Sequence, residues 1–197
     1  MRTALLGLLL LSGCVSSNIE SSKTADYATA VEKLHIETRF VGFSEEVAEG
    51  MVDELGYRFQ IVEIEYTVRP RVVFLQGEPQ EDLPVVFRDA SEGTTQILII
   101  EEKQREYVGS NATPPTASGA PGFNGGLPPT GYNDKRSHTV SASLHDMTTR
   151  ERVWQATAEI TLENAMTIGS KGVGSRLAKL VYEKLAEDGL VPVIPNL

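Results

Sequence analysis

Cysteine is almost absent from this chain. Cys14 is the only cysteine among 197 residues, so no disulfide can form within one copy of the protein. A domain without disulfides must gain its stability from packing. The composition permits a packed core, because 41% of the residues are hydrophobic and 23% are charged. We therefore expect one folded domain.

Basic residues are also scarce. Lys and Arg number 18, against 27 Asp and Glu, and the formal net charge is −9. Arg2 is the one charged residue among the first thirteen, so the remainder of the chain is more acidic still. Proteins that bind nucleic acid neutralise phosphates with clustered Lys and Arg. No such cluster occurs here, and we expect no nucleic-acid partner.

The N-terminal apolar run is too short to cross a membrane. Residues 4–11 form an apolar run of eight residues, whereas a membrane-spanning helix needs about 20. Arg2 precedes the run, and the small residues Ser12 and Gly13 follow it. This order indicates an export signal peptide over residues 1–13 rather than a membrane-spanning anchor.

The signal ends in Leu11-Ser12-Gly13-Cys14, which resembles the lipobox of bacterial lipoproteins. The resemblance implies cleavage before Cys14, a diacylglycerol thioether on Cys14 and acylation of the new amino terminus. Two or more acyl chains hold a protein stably on a membrane. In Gram-negative lipoproteins an Asp after the cysteine favours the inner membrane. Val15 and Ser16 stand there instead, which implies the outer membrane. The alternative is an ordinary secretory signal followed by a cysteine.

Two segments differ in composition from the rest. Residues 14–32 are rich in Ser, Thr and Ala, so we predict a flexible tether there, followed by a periplasmic domain over residues 33–197. Residues 109–134 hold six of the 17 glycines and five of the ten prolines. This density predicts a long loop, which is either mobile or a contact loop in which Phe123 and Tyr132 dock on a partner.

Hydropathy periodicity predicts the elements of the domain. The predicted strands are residues 33–43, 57–68, 71–76, 95–102, 138–144 and 152–162, and the predicted helices are residues 45–56, 82–90 and a last helix that ends at 188. Ser44 is the predicted N-cap of the first helix and Gly56 its C-terminal stop. Ile97–Ile100 is a continuous apolar run, which suits a central strand covered on both faces.

These elements predict an α+β fold. We expect a single domain with a mixed or antiparallel sheet, helices packed on one face and a long Gly/Pro-rich loop. Residues 138–190, with Asp146 in a turn before a strand that carries Val153-Trp154, resemble the C-terminal half of small α/β envelope lipoproteins of uncharacterised function. That resemblance implies a periplasmic domain with the same kind of sheet.

The sequence contains no recognised catalytic motif. Gly-x-Ser-x-Gly and His-Glu-x-x-His are both absent, and acylation would occupy Cys14. The three histidines, His35, His138 and His145, do not pair at metal-ligand spacing. We therefore expect no enzyme activity, no cofactor and no metal.

Three functions follow from these patterns. The leading hypothesis is a non-enzymatic outer-membrane lipoprotein whose periplasmic domain binds another envelope component, with an envelope protein as partner. The first alternative is a carrier or sensor of a small apolar ligand or lipid, with a cavity lined by Trp154 and Ile160. The second alternative is an envelope hydrolase in which His145, Asp146 and Glu159 converge.

Overall fold

The computed structural model describes residues 15–41, 44–69, 72–74, 83–90, 92–108, 135–163 and 168–195. Within these ranges the chain forms seven strands and three helices. They are β1 (Val15–Lys23), β2 (Lys33–Val41), α1 (Glu45–Ile61), β3 (Glu65–Val68), β4 (Val72–Phe74), α2 (Leu83–Asp89), β5 (Gln96–Val108), β6 (Lys135–Asp146), β7 (Arg152–Glu163) and α3 (Ser170–Glu187).

The strands form one mixed sheet. Their order is β1-β7-β6-β5-β2, and the short strands β3 and β4 both lie along the outer side of β2. β2 runs parallel to β3, β4 and β5, while β5, β6, β7 and β1 pair in antiparallel fashion. The predicted α+β fold with a mixed sheet is confirmed, and β5 is an inner strand, as its apolar run indicates.

Two long helices cover one face of the sheet. α1 and α3 pack side by side there, and a Cβ atom on Gly174 would overlap the carbonyl oxygen of Val47. The missing side chain therefore lets the two helices approach closely. Alternate residues of the strands fill the space beneath the helices; the largest buried side chains of this core include Leu34, Ile36, Phe40, Met51, Leu55, Phe59, Leu98, Leu144, Trp154 and Tyr182.

Among the described residues, one helix covers part of the opposite face. Val86 of α2 packs there against Ile97 and Ile99 of β5. Leu98 and Ile100 point into the larger core on the helix side. All four β5 residues are buried, which confirms that their continuous apolar run belongs to a strand covered on both faces.

α1 is longer than its sequence indicates. The helix passes through Gly56 and ends at Ile61, so the predicted stop at Gly56 is wrong, as is the predicted strand from residue 57. Gly56 is buried, and a Cβ atom there would lie 2.6 Å from the hydroxyl of Tyr66 on β3. The glycine therefore permits close packing between helix and strand instead of ending the helix.

The predicted cap at Ser44 also takes a different form. Ser44 is the N-terminal boundary residue of α1, but its side chain makes no capping hydrogen bond. Its hydroxyl instead donates to Glu102 Oε1 at 2.7 Å. The end of α3 follows the prediction: Gly189 has a φ of +74°, and the backbone N–H of the buried Leu190 donates to the carbonyl of Leu185 at 2.9 Å.

The predicted tether is wrong over residues 15–23. These residues form β1, which pairs with β7 at nine positions from Val15↔Leu162 to Lys23↔Trp154. Most of its side chains are exposed, and it is held chiefly through its backbone, so hydropathy gives no sign of it. The folded domain thus includes the chain from Val15 onward, and the backbone N–H of Val31 donates to the carbonyl of Leu190 at 2.9 Å.

None of the helices in the described ranges is long and apolar enough to span a bilayer.

Candidate functional site: the open face of the sheet

The face of the sheet opposite α1 and α3, outside the part covered by α2, is called the open face. A trough of about 490 Å³ lies on it. Ser141 and Ser143 of β6 form its floor, because they alternate with Ala142 and Leu144, which point into the core. The trough is lined by Glu20, Ser21, Ser22, Glu101, Lys103, Ser141, Ala142, Ser143, Arg152, Gln155, Ala156 and Thr157.

Strand register explains how these residues come together. Glu20 of β1 lies level with Thr157 of β7, and Thr157 lies level with Ser141 of β6. Ser141 in turn lies level with Glu101 of β5. A row of side chains from four strands thus crosses the sheet, with a carboxylate at each end and short hydroxyl side chains between them.

A network of buried charges lies beside the trough. Arg39 Nε of β2 donates to Glu37 Oε1 at 2.7 Å, and Arg39 Nη1 donates to Glu101 Oε1 at 3.2 Å. Arg69 Nη1 lies 3.6 Å from Glu37 Oε2. Glu37 is 1% exposed and Arg39 is 5% exposed. Charged side chains are buried to this extent only when they are paired, so the network holds one wall of the trough in place.

Glu101 connects the network to the trough. Burial would raise the pKa of its carboxyl group, but hydrogen bonds and charge from Lys103, together with Arg39, outweigh burial and lower the pKa. Lys103 Nζ donates to Glu101 Oε2 at 2.7 Å. Glu101 is therefore ionised at neutral pH and gives the trough a fixed negative charge.

The histidines are buried and neutral. Burial is the largest cause of the lowered pKa of His145, and the positive charges of Arg152 and Arg39 lower it further. His145 Nε2 lies 3.1 Å from Ser143 Oγ, and its ring meets Phe87 of α2 edge-on at 5.9 Å between centroids. Burial also lowers the pKa values of His35 and His138.

The residues that a hydrolase would need are not brought together. His145 lies level with Arg152 and Glu159 lies level with Thr139. Seven positions along β7 therefore separate the level of His145 from Glu159, or roughly 23 Å. The predicted convergence of His145, Asp146 and Glu159 is wrong.

Asp146 has a local structural role. Its Oδ1 accepts the backbone N–H groups of Thr148 and Thr149 at 2.8 and 3.0 Å, and its Oδ2 accepts the Tyr27 hydroxyl at 3.1 Å. Burial alone would raise the pKa of this carboxyl group, but these hydrogen bonds outweigh burial and lower it. Asp146 therefore stabilises the turn between β6 and β7.

In the part of the chain that the structure describes, Trp154 and Ile160 line no ligand cavity. Both are buried in the core beneath the helices, and Trp154 Nε1 donates to Asp188 Oδ2 at 2.7 Å. Neither contributes to the trough or to a smaller groove of about 220 Å³ beside α3. The predicted apolar cavity lined by these two residues is therefore wrong.

Other candidate residues cannot be placed. Cys14, Phe123 and Tyr132 lie outside the described residues, and their roles stay predictions. In the part of the chain that the structure describes, no group of three or more His, Cys, Asp or Glu side chains is arranged to hold a metal ion.

Sequence reasoning missed the charge network and the trough. Local alternation places Glu37 and Arg39 on the same face of β2, and that spacing was a usable signal. Arg39 lies level with Glu101 of β5 on one side and with Val72 of β4 on the other, so its surroundings depend on strands distant in sequence. The chain order of the strands does not show that arrangement.

No protein-family profile and no curated protein matches the sequence. Several solved structures resemble the fold. PelC from Paraburkholderia phytofirmans, solved as a dodecamer, is 12% identical, with 84% of this chain and 95% of that chain covered and a TM-score of 0.50. Lipoprotein GNA1162 from Neisseria meningitidis is 13% identical, with 79% and 99% covered and a TM-score of 0.44.

A minor lipoprotein from Acinetobacter baumannii is 10% identical, with 82% of this chain and 97% of that chain covered and a TM-score of 0.37. The solved structures similar to this chain thus include bacterial lipoproteins. At these identities the similarity concerns the fold alone.

Proposed function

We propose that the protein is a non-enzymatic outer-membrane lipoprotein whose domain faces the periplasm and binds another envelope protein. Acyl chains on Cys14 hold it to the membrane. The lipobox supports the anchor, and the absence of Asp at Val15 and Ser16 supports the outer membrane. The trough on the open face is the observation that supports a binding role.

The chemistry of the trough suits a polar protein surface. Hydroxyl and amide side chains on its floor and walls can donate and accept hydrogen bonds, and Glu101, Lys103 and Arg152 add charges of both signs. Charges of both signs fix the orientation of a partner and reject wrong ones. The strands hold these groups in place, so little ordering is required when a partner binds.

A second copy of the chain is included among the proposed partners. PelC, which shares the fold at a TM-score of 0.50, is a dodecamer. Cross-linking of membranes that hold only this lipoprotein would distinguish self-assembly from binding to a different protein.

A substitution in the floor of the trough tests the binding role. Tyrosine is favoured in strands, so Ser141→Tyr should leave the fold intact while its ring fills the trough. In a pull-down from cross-linked membranes we expect the partner to be lost at least tenfold. Ser137→Tyr, on the same face of β6 but outside the trough, is the matched control. Equal recovery by both variants would show that the trough is not the binding surface.

The anchor has a separate test. The wild-type protein should fractionate with outer membranes, and the mass of its N-terminal peptide should show acyl chains on Cys14. Cys14→Ala should be recovered in the soluble fraction, because the chain is acidic, with a formal net charge of −9, and anionic lipid would repel it. An unmodified Cys14 in the mature protein would refute the lipoprotein assignment.

The predicted contact loop can be tested in the same pull-down. If the partner docks on residues 109–134, Phe123→Ala and Tyr132→Ala should each lower its recovery. Unchanged recovery with both variants would refute the contact role of these two aromatic residues.

A further inference from the structure

The chain between the proposed lipid anchor and the first paired residue of the sheet is very short. Val15, the residue that follows Cys14, is already paired with Leu162 of β7, and pairing continues through Lys23. One residue spans at most about 3.6 Å of extended chain. An acylated Cys14 would therefore lie within about 4 Å of the first paired residue of the domain.

Side-chain contacts also hold β1 to the body of the domain. Ser21 Oγ donates to Asp188 Oδ2 at 2.7 Å, and Lys23 Nζ donates to the carbonyl oxygen of Asp188 at 2.8 Å. The same carboxylate oxygen accepts the indole N–H of Trp154 in the core. The last part of β1 is thus tied to both β7 and the end of α3. β1 is a fixed element of the fold and does not serve as a tether.

Several elements begin or end at the level of Val15. This end of the sheet, called the upper end, is defined by pairing of Val15 with Leu162, Lys135 with Glu163 and Val108 with Lys135. The turn between β6 and β7, residues 147–150, lies at the opposite, lower end. β7 has 12 residues, so roughly 36 Å separates the two ends.

From this placement we infer that the upper end is a membrane-docking surface and lies against the phospholipid headgroups of the bilayer that holds the anchor. The inference rests on the lipidation of Cys14 proposed above. Two lysines near this end are paired with carboxylates and do not set the orientation: Lys135 lies 3.7 Å from Glu163, and Lys171 near the start of α3 lies 2.7 Å from Asp53. The pairing of β1 with β7 sets the orientation of the domain, because this pairing brings the upper end of the sheet to the lipid surface.

Fluorescence quenching in vesicles tests the orientation. The acylated full-length protein is reconstituted in phosphatidylcholine vesicles that contain lipids with a quencher on the headgroup. Lys135→Cys places a fluorophore at the upper end, and Thr148→Cys places one at the lower end. Acylation leaves Cys14 without a free thiol, so only the introduced cysteine is labelled. We expect the label at residue 135 to lose at least half of its fluorescence and the label at residue 148 to lose almost none.

A linker variant provides the matched control. Ten Gly and Ser residues inserted between Cys14 and Val15 should free the domain from the bilayer and remove the difference between the two labels. Equal quenching of the two labels in acylated protein without the insertion would overturn the docking surface and leave the proposed function standing. If the mass of the N-terminal peptide shows no acyl chains, the proposed function fails, and the docking surface fails with it.

Discussion

The two faces of the sheet differ in what fills them. Beneath α1 and α3 lies one continuous apolar core. On the open face a small apolar cluster beneath α2 gives way to buried ion pairs and a polar trough. An apolar core tolerates exchange of one apolar residue for another when the total volume is kept. A buried ion pair, in contrast, is destabilised when either partner is removed. We therefore expect the apolar face to supply most of the stability, while the other face presents the polar trough that we propose as a binding surface.

The largest effect should come from β5, which contributes to both faces. Leu98 points into the main core and Ile99 into the small cluster beneath α2. We expect Leu98→Ala to lower the free energy of unfolding by about 4 kcal/mol and Ile99→Ala by about 2 kcal/mol, since a shallow cluster can collapse around the lost volume. Urea unfolding of the two variants gives the comparison. A larger loss from Ile99→Ala would refute it.

The ion pairs of the open face should show non-additive effects. Among the described residues, Arg39→Met leaves the buried carboxylate of Glu37 with the longer contact to Arg69, so we expect a loss of about 3 kcal/mol. Adding Glu37→Gln should recover much of that loss, because the buried charge is removed. A double-mutant cycle on urea unfolding measures the coupling. Additive losses would show that the two side chains do not act as a pair.

Acidification should produce the smallest effect. The three histidines have lowered pKa values because of burial, so they stay neutral in the folded protein while the unfolded chain takes up protons near its ordinary pKa of about 6.5. Stability should therefore be full above that value and fall as the pH decreases below it. The carboxyl groups of Glu101 and Asp146 act in the same direction but only in more acidic solution.

Urea midpoints at pH 7.5 and pH 5.5 measure this dependence. The midpoint of the wild type should be lower at the acidic pH, and His145→Gln should reduce the difference between the two midpoints, since it removes one of the three histidines. A midpoint that rises on acidification would refute the prediction that buried, neutral histidines govern this pH dependence.

Hydropathy along the sequence predicts those strands and helices whose own side chains are buried. The apolar run of β5 and the alternation along β7 depend on burial of their own side chains, so the sequence predicts them directly. α1 continues past Gly56, where the missing side chain leaves room for Tyr66, a residue on a later strand. That contact cannot be read from the helix itself.

The trough could not be predicted for a related reason. Its walls come from four strands whose order in the sheet differs from their order along the chain. β1 was missed because its backbone, rather than apolar side chains, attaches it to β7. The lipobox at Cys14, in contrast, is a contiguous motif, and sequence alone suffices to propose it.

β1 also determines how the domain would respond to mechanical tension. It runs away from the upper end, with nine consecutive positions paired to β7. The proposed acyl chains would pull at Val15 along the strand axis while a partner holds the domain. Such a force would load all of these residue pairs at the same time, in shear. A pull at Lys23, directed away from the sheet, would peel them apart one after another. If Cys14 is acylated as proposed, β1 would therefore make the connection between membrane and domain resistant to force.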